Sequence, residues 1–336
     1  MTGPERLLVR LPNWLGDALL ARPLLHGLRR ALPGAAILAV GPAPLLELLQ
    51  RERTFDRACP WPARDRRANG NGVGAARRAA HAFRPDAAVV LPPSFSSAWF
   101  AWRSGAAVRV GYGHEGRSPL LTHALRRPAR GELHLSREYL ALGATFGARE
   151  GPLPALPVDA GAVEKACDRL GARAQAGRPL ALLAPGAAYG PAKRWMPERF
   201  AALGRTLVER GLAVLVCGAE AERAVCESVA REIAGARSLA GETDLLVQAA
   251  LCAMARVVVS NDSGLAHLAG AVGAPTVAIF GSTSSAWSAP LGPRVRVVQH
   301  PPVCAPCFQR TCRIGYRCLA AVGVDEVADA CAALPA

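Results

Sequence analysis

Short apolar runs and amphipathic stretches alternate along this chain, separated by glycine, proline and asparagine. In the first half, Leu7–Leu11, Ala36–Val40, Ala87–Leu91 and Val108–Gly111 are brief apolar runs with the look of buried parallel strands. Between them apolar residues recur at helical spacing: Leu19, Leu20, Leu24 and Leu28 predict a helix over Ala18–Leu32, and others are expected over Ala75–Phe83 and Leu133–Phe146. The proline-rich stretch Pro152–Pro157 reads as a linker. A second series follows, with strands at Leu180–Ala184, Leu212–Cys217, Val257–Val259 and Thr276–Phe280 and helices over Glu198–Arg210, Glu220–Ile233 and Thr243–Ala255. A terminal helix over Asp325–Leu334 is of the kind that can cross back onto the first domain. The alternation predicts an α/β protein of two Rossmann-like, doubly wound parallel-sheet domains, residues 1–155 and 156–336, facing a cleft.

Within that pattern, Val257–Gly281 carries the most information. It reads as strand, polar turn, short helix, tight turn and strand, with Asn261 to Gly264 breaking the first strand and Asp262 or Ser263 expected to cap the helix. A helix opening at the carboxyl end of a parallel strand attracts anions, so the N–H groups of Ser263, Gly264 and Leu265 are candidates to hold a phosphate. A carboxylate there would repel that phosphate, so Asp262 is expected to bind backbone or hydroxyl groups and shape the turn. His267, in the first helical turn, reads first as a packed core histidine.

Three other strand ends supply candidate chemistry. The loop Pro185–Trp195 fits neither a P-loop nor a dinucleotide fingerprint. Its Gly186 and Ala187 let the backbone approach a ligand, and Lys193 and Arg194 offer positive charge to a diphosphate. Glu220, past the strand ending near Gly218, suits paired ribose hydroxyls, with a plain helix-start acid as the equal alternative. Asp17 sits at the end of the first strand, where a carboxylate can serve as general base or merely complement a helix dipole. The run Gly70–Gly74 follows arginines instead of a strand and is expected to be a flexible loop.

Composition narrows the options. At 336 residues the chain suits two domains, and no long apolar window free of charge and proline supports a signal peptide or a membrane span, so a cytoplasmic protein is expected. The net charge of +14 is lopsided: residues 1–150 hold 22 arginines against 11 acids, a net +11, which leaves +3 for the rest. That half either has heavily solvated helix faces or meets an anionic partner. Nucleic acid is disfavoured as that partner, because no recognised binding motif or aromatic interleaving accompanies the charge. Of the 10 cysteines, Cys217, Cys226 and Cys252 lie in apolar surroundings and suit a core. Cys304, Cys307, Cys312 and Cys318, spaced C-x2-C-x4-C-x5-C, leave two readings open: a structural zinc or iron–sulfur site, or four free thiols.

Five segments together carry a resemblance: PNWLGDALLARPL at 12–24, LPPSFSSAWF at 91–100, PGAAYGPAKRW at 185–195, AGET at 240–243 and SNDSGLAHLAGAVGAPTVAIFGSTS at 260–284. They resemble the lipopolysaccharide heptosyltransferases of glycosyltransferase family 9, nearest its type II members. The resemblance implies a GT-B fold and an inverting transfer of L-glycero-D-manno-heptose from ADP-heptose to the first heptose of Kdo–lipid A, with no cofactor required. It implies Asp17 as the base on the acceptor hydroxyl, Lys193 at the donor phosphates and Glu220 at the ribose. Ser263, Gly264 and Leu265 would form the diphosphate loop, and Asp262 and His267 keep the family's pattern. The anionic acceptor would account for the basic half, with Arg109 and Arg117 as candidate contacts, and would put the enzyme at the inner face of the cytoplasmic membrane. Another sugar transferase of the family is the main alternative, and a GT-B nucleotide-sugar 2-epimerase a more distant one. The cysteine quartet lies outside what the resemblance explains.

Overall fold

The computed structural model describes residues 3–62, 71–170 and 177–335. The chain divides into two compact units, Met1–Pro154 and Ala155–Ala336. In the first, β1 (Arg6–Arg10), β2 (Ala36–Gly41), β3 (Arg57–Pro60), β4 (Ala87–Val90), β5 (Val108–Tyr112) and β6 (His123–Leu125) form one sheet in the order β3-β2-β1-β4-β5-β6. In the second, β7 (Leu180–Ala184), β8 (Ala213–Val216), β9 (Arg237–Ser238), β10 (Val257–Asn261), β11 (Thr276–Phe280) and β12 (Val295–Gln299) lie in the order β12-β11-β10-β7-β8-β9. Every pairing is parallel. Counted from its own first strand, each sheet has the order 3-2-1-4-5-6 of a doubly wound Rossmann-like domain. The two domains of the GT-B fold are therefore present.

The central strands are apolar throughout because both faces of each sheet are covered. In the second unit Ala181, Leu183, Val257 and Val259 join the core on one face. Their neighbours Leu180, Leu182 and Val258 join the core on the other. Cys217, Cys226 and Cys252 are buried there, and burial pushes the Cys217 and Cys226 thiols up to about 12. The last helix, Val324–Ala332, packs on the helix Pro197–Glu209 and on β11 and β12.

Several local expectations are corrected. The helix expected over 18–32 begins at Leu15 and is two helices, α1 (Leu15–Leu20) and α2 (Arg22–Ala31). Pro23 suits the opening turn of α2, where its missing N–H costs nothing, and the break falls at Ala21. Asp17 thus lies inside the first turn of α1. After α3 (Ala43–Gln50) comes α4 (Asn71–Phe83), which takes in most of the run expected as a flexible loop, although Gly70 lies outside the described residues. The alanines of α4 favour helix strongly enough to offset glycine's penalty of about 1 kcal/mol. Next come α5 (Phe95–Arg103) and α6 (Leu135–Leu142). Among the described residues, no helix is long and apolar enough to cross a membrane.

Candidate active site

Ligands of doubly wound sheets bind outside the carboxyl ends of the strands, at the point where the strand order reverses. In the first unit that point lies between β1 and β4, and in the second between β7 and β10. The segments after β1, β4, β7 and β10 are the four long motifs read from the sequence. The fold therefore sets each pair of motifs at a switch point.

The second unit has the more tightly knit site. Asn261, fully buried at the end of β10, accepts from the Trp195 backbone N–H at 2.9 Å. Its Nδ2 donates to the carbonyls of Pro185 (2.8 Å) and Gly186 (3.3 Å). One side chain thus ties both ends of the 185–195 loop, and losing it would strand buried backbone groups at about 1–3 kcal/mol each. Within that loop, Lys193 Nζ sits 2.6 Å from Asp262 Oδ2, with the lysine 15% and the aspartate 3% exposed. Thr283 Oγ1 donates to the same Asp262 oxygen at 2.5 Å, and Lys193 lies 5.1 Å from the centre of the Tyr189 ring.

Asp262 therefore binds a hydroxyl, as expected, and a lysine as well. It does not cap the helix. The N-cap of Gly264–Ala271 is Ser263, with no side-chain cap bond, and its Oγ lies 3.0 Å from Ser260 Oγ. The backbone N–H groups that open this helix, at Ser263, Gly264 and Leu265, directly follow Asp262, the partner of Lys193, in sequence. His267 is buried on the same helix.

Two glycines mark close approaches. A side chain on Gly186 would bring its first carbon within 2.2 Å of the Glu222 carboxyl carbon, so that carboxylate rests on the 185–195 loop. Glu222 also accepts from the Ala219 N–H at 2.9 Å. Gly241 of the AGET segment has φ +75°, and a side chain there would come within 2.0 Å of Glu220 Oε2. Glu220 itself is exposed and paired with Arg223 through Nε (2.9 Å) and Nη2 (2.6 Å); that bond lowers its pKa from the ordinary carboxylate value. Sequence reasoning singled out Glu220 and passed over Glu222, Thr283 and Asn261 as functional residues. Thr283 and Asn261 were inside quoted motifs, whereas nothing in the sequence separates Glu222 from Glu220.

In the first unit Asp17 is half-buried on α1 and is the largest charged influence on Tyr139 of α6. Burial, followed by that carboxylate, pushes the Tyr139 phenol well above its ordinary value. Buried Arg10 reaches Asn13 Oδ1 (2.7 Å), donates to the Leu11 carbonyl and lies 4.5 Å from the centre of the Trp61 ring. Burial lowers its pKa to about 10. Arg10 thereby anchors the turn that leads to Asp17.

The two candidate acceptor arginines are committed to backbone. Arg109 donates to the carbonyls of Leu120 (2.8 Å) and Ala106 (2.5 Å). Arg117 is fully buried, donates to the carbonyls of Tyr112 (2.7 Å), Pro92 and Ser94 (3.2 Å), and has its pKa lowered by burial to about 10.

The metal reading of the cysteine quartet finds no support: none of the four cysteines is in a disulfide, and among the described residues no three His, Cys, Asp or Glu side chains gather as a metal site. Cys318 is buried in the core, Cys304 is exposed, and Cys312 Sγ accepts from the backbone N–H groups of Ile314 and Tyr316. The segment instead braces the Lys193 loop: Tyr189 donates its hydroxyl to the Phe308 carbonyl at 2.5 Å, and the Ala192 N–H donates to the Arg310 carbonyl at 3.0 Å.

Comparison with known proteins agrees with this geometry. Residues 75–317 match the family described as glycosyltransferase family 9 (heptosyltransferase). The chain is 31% identical over 313 residues to lipopolysaccharide heptosyltransferase 2 of Escherichia coli K12, covering 88% of each chain. It is 32% identical over 313 residues to the Salmonella typhimurium protein of the same name, again covering 88% of each. The solved structure of E. coli ADP-heptose lps heptosyltransferase II superposes with a TM-score of 0.81 at 28% identity, over 98% of both chains.

Proposed function

The chain belongs to glycosyltransferase family 9, the heptosyltransferases of lipopolysaccharide core synthesis, and on that premise we propose that it moves L-glycero-D-manno-heptose from ADP-heptose to the first heptose of Kdo–lipid A. The observation that carries the reading is the buried Lys193–Asp262–Thr283 constellation at the β7/β10 switch point, beside a helix N-terminus. A lysine ammonium has three N–H donors. One engages Asp262, which leaves two for diphosphate oxygens, while the pairing cancels the repulsion that a bare Asp262 would exert. The N–H groups of Ser263, Gly264 and Leu265 complete the anion site. Glu220 and Glu222 stand at the adjoining strand end as acceptors for the ribose hydroxyls, and buried His267 helps hold the helix.

The reaction is then a single displacement. The acceptor hydroxyl oxygen forms its bond to the anomeric carbon as the bond from that carbon to the ADP phosphate oxygen breaks. The proton passes to Asp17, ADP leaves with the electron pair, and the anomeric configuration inverts. Negative charge grows on the leaving diphosphate, where Lys193 and the helix N-terminus stabilise it without reorganising. None of these steps draws on a cofactor. The acceptor's Kdo carboxylates and lipid phosphates suit the arginine-rich first unit, and the protein works at the inner face of the cytoplasmic membrane.

Mass spectrometry of products from ADP-heptose and a defined one-heptose Kdo–lipid A acceptor tests the reading. Addition of one heptose to that acceptor is expected. Transfer only to an acceptor lacking heptose would replace this assignment with another of the family, and acceptor-independent conversion of the donor would indicate an epimerase.

A further inference from the structure

A helix on the surface of a sheet buries its apolar stripe and shows water a polar face. Helix α5 departs from that rule. It buries Ser97, Ala98, Phe100 and Ala101, while Phe95 (49% exposed), Trp99 (40%) and Trp102 (42%) stand on the outside. The spacing i, i+4, i+7 puts the three on one face. Trp99 and Trp102 lie 4.9 Å apart between ring centres, Phe95 and Trp99 are 6.4 Å apart with rings nearly parallel, and Arg103 lies 5.9 Å from the Trp102 ring. Trp14, the N-cap of α1, is 62% exposed. It follows β1 as Phe95 follows β4, and those strands are neighbours, so the aromatic face begins at the switch point that carries Asp17 and continues along α5.

The charge around them is one-sided. Residues 71–114 hold five arginines and a single acid, Asp86, which is already engaged by the Arg6 backbone N–H at 2.8 Å. Helix α4, which packs on α5, contributes Arg77, Arg78 and the exposed apolar Val73.

We propose that α5, with Trp14 and the arginines of α4, is the surface by which this protein docks onto an anionic lipid bilayer. Tryptophan belongs at the water–lipid boundary, with its ring among acyl chains and its N–H among headgroups, and neighbouring arginines add attraction to anionic lipid. A second copy of the chain is a poor occupant. Four side chains cover far less than the roughly 800 Å² per partner of a stable interface, and two arginine-rich faces repel. Docking there brings the Asp17 end of the first sheet to the membrane, where a lipid-borne acceptor would be met.

Co-sedimentation of the full chain with vesicles tests this directly. Binding is expected to vesicles containing phosphatidylglycerol, weaker binding to pure phosphatidylcholine, and weakening as salt rises. Trp99→Ser/Trp102→Ser is expected to lower partitioning about 30-fold, taking each half-exposed ring as roughly 1 kcal/mol of lost burial. Arg77→Gln/Arg78→Gln is expected to reduce the preference for anionic vesicles. Circular dichroism and thermal unfolding should match the parent, since the substituted groups are at the surface. Parent-like partitioning by the tryptophan variant, or equal binding to both vesicle types, overturns the proposal. The kinetic arm rests on the acceptor reading above: the tryptophan variant should turn over a delipidated core oligosaccharide as the parent does and slow only on vesicle-embedded acceptor. Equal slowing on both, with vesicle binding intact, would make the stripe a sugar platform and likewise overturn the proposal. The vesicle measurements stand even if the transferred sugar proves to be a different one.

Discussion

The two sheets share one strand order, yet their switch points are finished in opposite ways. In the second unit the polar groups satisfy one another: Asn261 ties the 185–195 loop, Lys193 and Thr283 meet on Asp262, and Glu222 leans on Gly186. In the first, buried Arg10 and Arg117 donate to backbone and, for Arg10, to Asn13, half-buried Asp17 lies on α1, and large aromatics face outward. Topology fixes where a ligand is met, and side chains fix what kind. A prewired pocket suits a small anionic donor whose leaving-group charge must find its partners in place. An open rim of arginine and tryptophan suits the membrane in which a lipid-borne acceptor is held.

The sharpest way to break this comparison is at Asp17. Asp17→Asn keeps the shape and removes the base, so kcat should fall about 10³-fold, within the range of general-base catalysis. Calorimetric ADP binding should stay within twofold of the parent, because the donor residues lie in the second unit. Full activity would remove Asp17 from the chemistry, and lost ADP binding would blur the division of labour between units. Next in size is Lys193→Ala. It removes a phosphate partner and leaves buried Asp262 with Thr283 alone, so the repulsion returns along with the lost attraction. A loss of about 10²-fold in kcat/KM for the donor is expected, with weaker ADP binding. Unchanged donor kinetics would reduce the pair to a structural one.

How far the sequence disclosed this difference depends on what each feature rests upon. Strands buried on both faces, such as Leu180–Ala184 and Thr276–Phe280, announce themselves as unbroken apolar runs and match the structure residue for residue. Edge strands do not: Arg57–Pro60 and Arg237–Ser238 are short and largely exposed, and their place is set by a neighbour's hydrogen bonds. Asp17, Lys193 and Asp262 were legible because each sits at a strand end in a loop of turn formers and small residues. That Lys193 and Asp262 pair was not, since 69 positions separate them in sequence. The backbone bonds of Arg109 and Arg117 were hidden for a related reason: charge predicts a solvated group, and only the fold shows which carbonyls claim it. The cysteine spacing has the reach of a metal knuckle, whereas the bonds by which its segment braces the Lys193 loop run to backbone carbonyls and leave no mark in the sequence.

Away from both sites, the first unit keeps a buried ion cluster that tests whether its arginines serve the fold. Glu52 accepts from Arg22 Nε (3.0 Å) and Nη2 (2.6 Å) and lies 2.8 Å from His26 Nε2. Burial alone would raise the Glu52 pKa, but the bonds from His26 and Arg22 outweigh it and hold the carboxyl below its ordinary value. A depressed carboxyl pKa stabilises the fold fully above the unfolded value of about 4.3, and that contribution fades as pH falls through the folded value. Glu52→Gln should therefore cost about 2 kcal/mol at pH 7 in urea melts and progressively less at acid pH. A penalty that did not shrink with acid would assign the loss to packing instead of charge.

The smallest expected effect asks which acid serves the ribose. Glu220 is exposed and bound to Arg223, and an acid in water gives little to a ligand that must first displace that arginine. Glu222 is half-buried against Gly186, closer to the loop that holds Lys193. Charged hydrogen bonds are worth about 1.5–3 kcal/mol where water is excluded, and less at the surface. Glu222→Gln should thus raise the donor KM about tenfold and Glu220→Gln about threefold, with kcat nearly constant in both. Because a folding defect would lower both parameters, ADP-heptose titrations of each variant should be read beside its melting curve. The reverse order of effects would move the ribose towards Gly241, where Glu220 lies, and make Glu222 a brace for the 185–195 loop.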